Sequence, residues 1–340
     1  MAFELKNRRF SDVMLAPMAG VTDAPFRAMM RKFGGELLFS EMILADSLAR
    51  AHKRTTEMAM PDETDAPIAI QLEGRNPDTM AAAARIAERH AAFIDLNMGC
   101  SAPDIYRFGS GIAWMIKPIE ETEEMVREVG KVITDYNTSH QNQLRYSVKL
   151  RLGDDDYTDE KFYGFCQMLV DNGVKLITLH PRTKKEKLTR PTHYEYCEKL
   201  AQKMHPQGVQ VYLNGNVKDK PSYDFAISKA SSVDGIMISR AAVQKPWIFK
   251  ELCDDREGGV EVDMQQLALD YISDVEIYQP KEFWKTRLQR FFTYFAQNFK
   301  FSHYAQTQFI NASDNDDLRK RIEEFFVKCP EERFYKIIEN

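Results

Sequence analysis

Between Val13 and Ser239 the chain repeats one pattern eight times: a short β-branched or apolar run, followed by a connection that in most cases carries apolar residues at helical spacing. Strands buried on both faces read as such runs, and strands alternating with helices build a parallel sheet wrapped by those helices. The runs are Val13 to Pro17, Leu37 to Met42, Ile68 to Leu72, Phe93 to Met98, Tyr146 to Leu152, Leu176 to His180, Val209 to Asn214 and Gly235 to Ser239. Helical windows follow the first, third, fourth, fifth and sixth. The stretch Ala45 to Pro61 is less regular, and Pro221 to Ala230 is short. Eight strand-helix units in about 250 residues is the size of a TIM (β/α)8 barrel. A doubly wound open sheet is the competing architecture, but it opens with a glycine-rich fingerprint after its first strand, and LAPMAG contains none.

Past Cys253 the strand-like runs stop. Leu288, Phe291, Phe292, Phe295 and Phe299 then recur on one face of a helix, and DNDDLRKRIEEFFVK reads as another helix with acidic residues at its start. The chain therefore divides near residue 250 into a barrel domain, 1–250, and a small C-terminal helical-bundle domain, 251–340.

Composition removes several classes of function. With 44% hydrophobic and 29% charged residues the chain can bury a core. No run approaches the roughly 20 apolar residues that span a bilayer, and MAFELKNRRFSDVML lacks the apolar stretch of a secretory signal, so the expected location is cytoplasmic, with no membrane contact. The five cysteines (Cys100, Cys166, Cys197, Cys253, Cys329) form no CxxC pair, which leaves no expected metal site or disulfide framework. A net charge of -5 opposes any global affinity for nucleic acid. Contact with RNA must be local, and RTKKEKLTR, residues 182–190, offers five basic residues against one acidic. The tail beyond Cys253 is net acidic, 17 against 12, so an RNA contact there would need a patch such as Lys285, Arg287 and Arg290.

In a TIM barrel the site lies at the carboxyl ends of the strands. Those ends carry Pro17 and Met18, Glu41, Gln71, Asn97 and Cys100, Lys149 and Arg151, His180 and Arg182, Asn214, Gly215 and Asn216, then Ser239 and Arg240. Each has a plain structural explanation alone; together they would leave polar groups unpaired unless a polar ligand fills the mouth. The loops after the last two strands, LNGN and ISRAA, stand where this fold binds phosphate. Lys149 could set a positive charge beside an electron-rich ring, as flavoenzymes do.

These residues also carry a family resemblance. LAPMAGVTDAPFR, QLEG, DLNMGC followed by GSGIAWM, SVKLRLG, TLHPRT, YLNGN and DGIMISRAAVQKPWIF, in that order, resemble the tRNA-dihydrouridine synthases, FMN-dependent oxidoreductases that reduce uridine in tRNA. The match spans about residues 11 to 250. It implies an FMN site at Pro17, Met18, Gln71, Lys149, His180, Asn214, Gly215, Asn216, Ser239 and Arg240, with the phosphate toward the loops of the last two strands. It implies a catalytic Cys100 that protonates uracil C5 while hydride passes from flavin N5 to C6, and NADPH or NADH as reductant. A free thiol, with a pKa near about 8.5, is mostly protonated at neutral pH and can serve as such an acid. Asn97 falls where the uracil edge is bound, Arg182 is a second expected contact, and Lys184 and Lys185 of the basic run are expected to meet tRNA; no obligate protein partner is implied. The chain departs from the family pattern at Ser101, where proline is usual, in HPRT where HGRT is usual, and at Asn216 in place of aspartate. The altered loop after Cys100 keeps a non-catalytic RNA-binding relative in view, and the acidic balance of the chain an FMN barrel reductase of a small molecule. A phosphate-sugar isomerase or aldolase is disfavoured by a rim with no acid-base partner beyond Glu41.

Overall fold

The computed structural model describes residues 13–61, 65–154, 159–186, 190–252 and 260–337. The repeated runs form β1 (Val13–Leu15), β2 (Leu38–Phe39), β3 (Ile43–Leu44), β4 (Ile68–Glu73), β5 (Phe93–Met98), β6 (Arg145–Arg151), β7 (Leu176–His180), β8 (Gln210–Asn214) and β9 (Gly235–Ile238). All are parallel, in the order β1-β2-β4-β5-β6-β7-β8-β9, and β9 pairs back onto β1 with Leu15 opposite Ile238. The sheet is thus closed: a TIM barrel of eight positions, with helices outside it.

The expected run Leu37 to Met42 occupies one of those positions in two pieces. Leu38 pairs with Ile68 and Ile43 with Leu72, so this side has one residue more than its partner, a bulge around Ser40 to Met42. The Ser40 hydroxyl repairs the ladder by accepting from Gln71 N at 3.0 Å. The bulge carries Glu41 to the rim. The stretch Ala45 to Pro61 resolves into two short helices, Ala45–Ala49 and Lys53–Ala59, and Lys220–Lys229 is a full helix capped by Asp219.

Alternation along the strands sets the two faces. Leu15, Ile70, Leu96, Val148, Ile177, Val211 and Ile236 pack outward against the helices, while Met14, Ala69, Phe93, Leu176, Tyr212 and Met237 fill the floor of the interior. Two residues further along β4, β5, β7 and β8 the inward face turns polar: Gln71, Asp95 then Asn97, Thr178 then His180, Asn214. An apolar floor beneath a polar mouth follows from that change.

The tail contains helices Met264–Tyr278, Lys281–Phe295, Ser302–Ile310 and Asn315–Lys328. The expected apolar face is its core: Leu288, Phe291, Phe292, Phe295 and Phe299 are all buried, and Phe299 meets Phe309, Phe325 and Phe326 within 6.3 Å between ring centres. Strand structure does not end at the barrel, contrary to the sequence expectation. β10 (Val260–Asp263) and β11 (Phe334–Ile337) pair antiparallel and tie the tail's two ends together. Their pairing is long-range, which is why neither segment reads as a strand locally. Cys253 and the expected boundary segment after it lie outside the described residues.

Candidate active site

The polar mouth is organised around Cys100, a free, partly exposed thiol in the loop after β5. Asn97 holds that loop: its Oδ1 accepts from Gly99 N at 3.2 Å and from Cys100 N at 2.9 Å. The Cys100 carbonyl accepts from Ile112 N at 3.0 Å, which brings GSGIAWM under the loop. Gly111 must be glycine there. Its φ is +60°, and a Cβ would lie 2.5 Å from the Cys100 carbonyl oxygen. Arg151 adds a strap from the other side, donating from Nε to Gly99 O at 3.1 Å and from Nη1 to Thr183 O at 3.3 Å.

Three further side chains line the same mouth. Gln71 is buried, with its amide between Asp95 and Asn97. Lys149 is half-buried and its pKa is brought down to about 8, by burial first and then by Arg151; Asp95 and Cys100 act in the opposite sense. His180 is pushed down to about 2, by burial and then by the positive charges of Arg151, Lys149, Arg182 and Arg240. The imidazole is therefore neutral. Its Nε2 lies 3.1 Å from Arg182 Nη1, and because a guanidinium only donates, Nε2 accepts and Nδ1 carries the proton.

The loops after β8 and β9 form a cleft of about 470 Å³ lined by Asn216, Lys218, Ser239, Arg240 and Gln244, and closed on one side by Tyr294 and Gln297 of the helical tail. Lys218 and Arg240 make it a cationic cleft. Asn214 is buried and donates to Met237 O at 2.7 Å, which joins the two strands that carry it. Gly215 has φ +149°, and a Cβ there would lie 3.3 Å from His180 Cδ2. Pro17 and Met18 sit on the turn after β1, closed by Thr22 N donating to Met18 O at 3.0 Å.

The structure brings Gln71, Asn97, Cys100, Lys149 and His180 into one interior and sets Asn216, Ser239 and Arg240 at its edge. Of the expected substrate contacts it buries Arg182 and leaves Lys185 exposed. The Asn97 carboxamide is engaged at both ends within the protein, since Nδ2 donates to Gln71 Oε1 at 3.0 Å and reaches Met42 Sδ at 2.9 Å. Arg182 is fully buried and donates to Arg190 O at 2.7 Å, fastening the basic loop. Lys184 lies over the Tyr106 ring at 3.5 Å and 3.5 Å from Asp154, while Lys185 is exposed. Lys187 and Thr189 of the run lie outside the described residues.

Glu41 and the tail's basic patch also need correction. Glu41 receives Arg287 Nη1 at 2.7 Å and Nη2 at 2.8 Å, together with the backbone N–H of Gly20. Arg287 Nε stands 3.5 Å from Asp23, and all three side chains are at most 10% exposed. Arg290 donates to Ala19 O at 3.1 Å. Arg287 is therefore an internal tie between tail and rim rather than part of a surface patch, and Glu41 is its partner rather than an acid-base group.

A closed parallel barrel with its polar interior and a held cysteine at the carboxyl rim defines an α/β-barrel enzyme that works at that rim. Comparison with known proteins narrows the class. The model of the Dihydrouridine synthase (Dus) family matches residues 14–323, and the chain belongs to that family of oxidoreductases. It is 25% identical over 333 residues to tRNA-dihydrouridine synthase B of Pseudomonas aeruginosa, covering 96% of this chain and 95% of that protein. It is 28% identical over 323 residues to a probable tRNA-dihydrouridine synthase of Aquifex aeolicus, covering 94% and 97%, and 29% identical over 268 residues to one of Rickettsia conorii, covering 78% and 76%.

Proposed function

We propose that this chain reduces uridine in tRNA to 5,6-dihydrouridine, with FMN held at the barrel mouth and NADPH or NADH as the ultimate reductant. The observation that carries the reading is the Cys100 thiol, fixed by Asn97 on the rim of an interior that also holds Lys149, His180 and Gln71. The names of the relatives, all tRNA-dihydrouridine synthases, support the same substrate.

The donor set fits a flavin mononucleotide. Lys218, Arg240, Ser239 and Asn216 suit its phosphate, and the glycine at position 215 leaves the floor between that cleft and His180 open. Gln71 offers an amide, neutral His180 an Nδ1–H donor, and Lys149 a cation next to an electron-rich ring. FMN, when bound, supplies the hydride. The protein's own task is then the proton: Cys100 Sγ delivers it to C5 of the uracil, and the bonds from Asn97 and Ile112 to the Cys100 backbone hold the thiol for that transfer. A base inside folded RNA must leave its stack to reach this mouth, at a cost of a few kcal/mol.

The test is incubation of the purified protein with NADPH and tRNA lacking dihydrouridine, followed by nucleoside mass spectrometry. A nucleoside two hydrogens heavier than uridine is expected. Cys100→Ala should keep flavin and NADPH oxidation and lose at least about 100-fold in uridine reduction, the scale of a general acid. Normal turnover by that variant would remove Cys100 from the mechanism.

A further inference from the structure

One chain of hydrogen bonds in the mouth runs in a single direction. Asp95, on β5, is fully buried; its Oδ1 accepts from Ser147 Oγ at 2.6 Å and its Oδ2 from Gln71 Nε2 at 2.7 Å. Gln71 Oε1 accepts from Asn97 Nδ2, and Asn97 Oδ1 accepts from the backbone of Gly99 and Cys100. Its two ends fix the direction. A carboxylate only accepts, so Gln71 must turn its NH2 toward Asp95. Backbone N–H groups only donate, so Asn97 must turn its oxygen toward Cys100, leaving its NH2 for Gln71. The two carboxamides in series match both demands, and each bond polarises the next.

We propose that Asp95 is a positioning residue for the reaction at Cys100: its carboxylate orients Gln71 and, through it, Asn97, and so sets the backbone on which the thiol is presented. The proposal rests on the function proposed above. Space-filling does not account for an aspartate here, because asparagine has the same shape and no ionic desolvation cost. What asparagine lacks is an end that can only accept. Burial pushes the Asp95 carboxyl up to about 6, opposed by the bonds from Ser147 and Gln71 and by Lys149, so at neutral pH it is an ionised acceptor.

The decisive variants are Asp95→Asn, the pair Asp95→Asn with Gln71→Glu, and Ser147→Ala. In Asp95→Asn the Gln71 amide can point either way. In the pair, the carboxylate introduced at position 71 accepts from the amide introduced at position 95 on one side and from Asn97 on the other, which restores the polarity at the Cys100 end. Ser147→Ala removes a bond that helps keep this carboxyl ionised, so it is compared with the parent at pH 8, above the carboxyl's raised range, where the polarity stays intact. Two measurements apply: kcat and KM for tRNA, and the rate at which iodoacetamide alkylates Cys100, followed at peptide level. Asp95→Asn should lower kcat about tenfold with KM within about twofold, and raise Cys100 alkylation about threefold or more. The pair should return the alkylation rate to within about twofold of the parent, and Ser147→Ala should leave both readouts near it. Unchanged alkylation in Asp95→Asn overturns the proposal, as does loss in Ser147→Ala equal to that in Asp95→Asn, or failure of the pair to restore the alkylation rate. Alkylation needs no turnover. Absence of dihydrouridine with the parent protein would thus count against the proposed function and leave the polarity test standing.

Discussion

Asp23 and Glu41 are two buried carboxylates that share one guanidinium, and the cost of burying Asp23 depends on pH. Burial is the main cause that lifts Asp23 from 3.8 to about 6, with Glu41 adding to it and Arg287 and Arg27 opposing it. A carboxyl whose folded pKa lies above its unfolded one binds more protons when folded, so it favours the folded state less as pH rises from about 4 to about 6. A tenfold difference in proton affinity between the two states corresponds to about 1.4 kcal/mol. Asp23→Asn keeps a good N-cap for the helix Ala24–Lys32 and removes this dependence. The melting temperature of the variant minus that of the parent should therefore grow between pH 4 and pH 7; a flat difference would count against a raised Asp23. Residues such as Gln71, Asn97 and His180 are legible in the sequence because they interrupt apolar strands on the inward parity. Asp95 obeys the same alternation in FIDLNM and carries the same signal. Glu41 and Arg287 offer none, since their partnership joins positions 246 residues apart.

Among the elements, the barrel strands are readable wherever a run is continuous. Phe93–Met98 and Leu176–His180 match their apolar runs end to end, whereas the second run breaks at a bulge that hydrophobicity does not encode. The helix Lys281–Phe295 is readable as a core helix from its phenylalanines, but its polar side gives no hint of which cation faces inward. Arg287 and Lys285 look alike in sequence and should behave oppositely. Arg287→Met strands two buried carboxylates and is expected to cost about 3 kcal/mol or more in denaturant unfolding. Lys285→Ala, at an exposed position, should stay within about 0.5 kcal/mol. Equal effects would mean that the tie between tail and rim contributes nothing.

At the scale of the molecule, a chain of net charge -5 can hold RNA only through local positive surface. Two lysines of the described residues beside the mouth, Lys184 and Lys185, are candidates for such a surface, but they are not equivalent. Lys184 is half-buried against Asp154 and the Tyr106 ring, and Lys185 is exposed. Lys185→Ala should weaken tRNA binding and flatten its salt dependence by about one in the slope, and Lys184→Ala should do less. Binding titrations across salt concentrations check this, and identical slopes for the two variants would count against a phosphate contact at Lys185.

The closing contacts also impose an order in time. β1 finds one of its neighbours only when β9 has been made, and Glu41 waits for Arg287. At ~5–20 residues per second a ribosome takes about 10 to 50 s to pass from one to the other. Throughout that interval the nascent barrel has an unsealed seam and a rim carboxylate without its counter-ion. β1 can meet β2 early, yet its other edge stays open until β9 arrives.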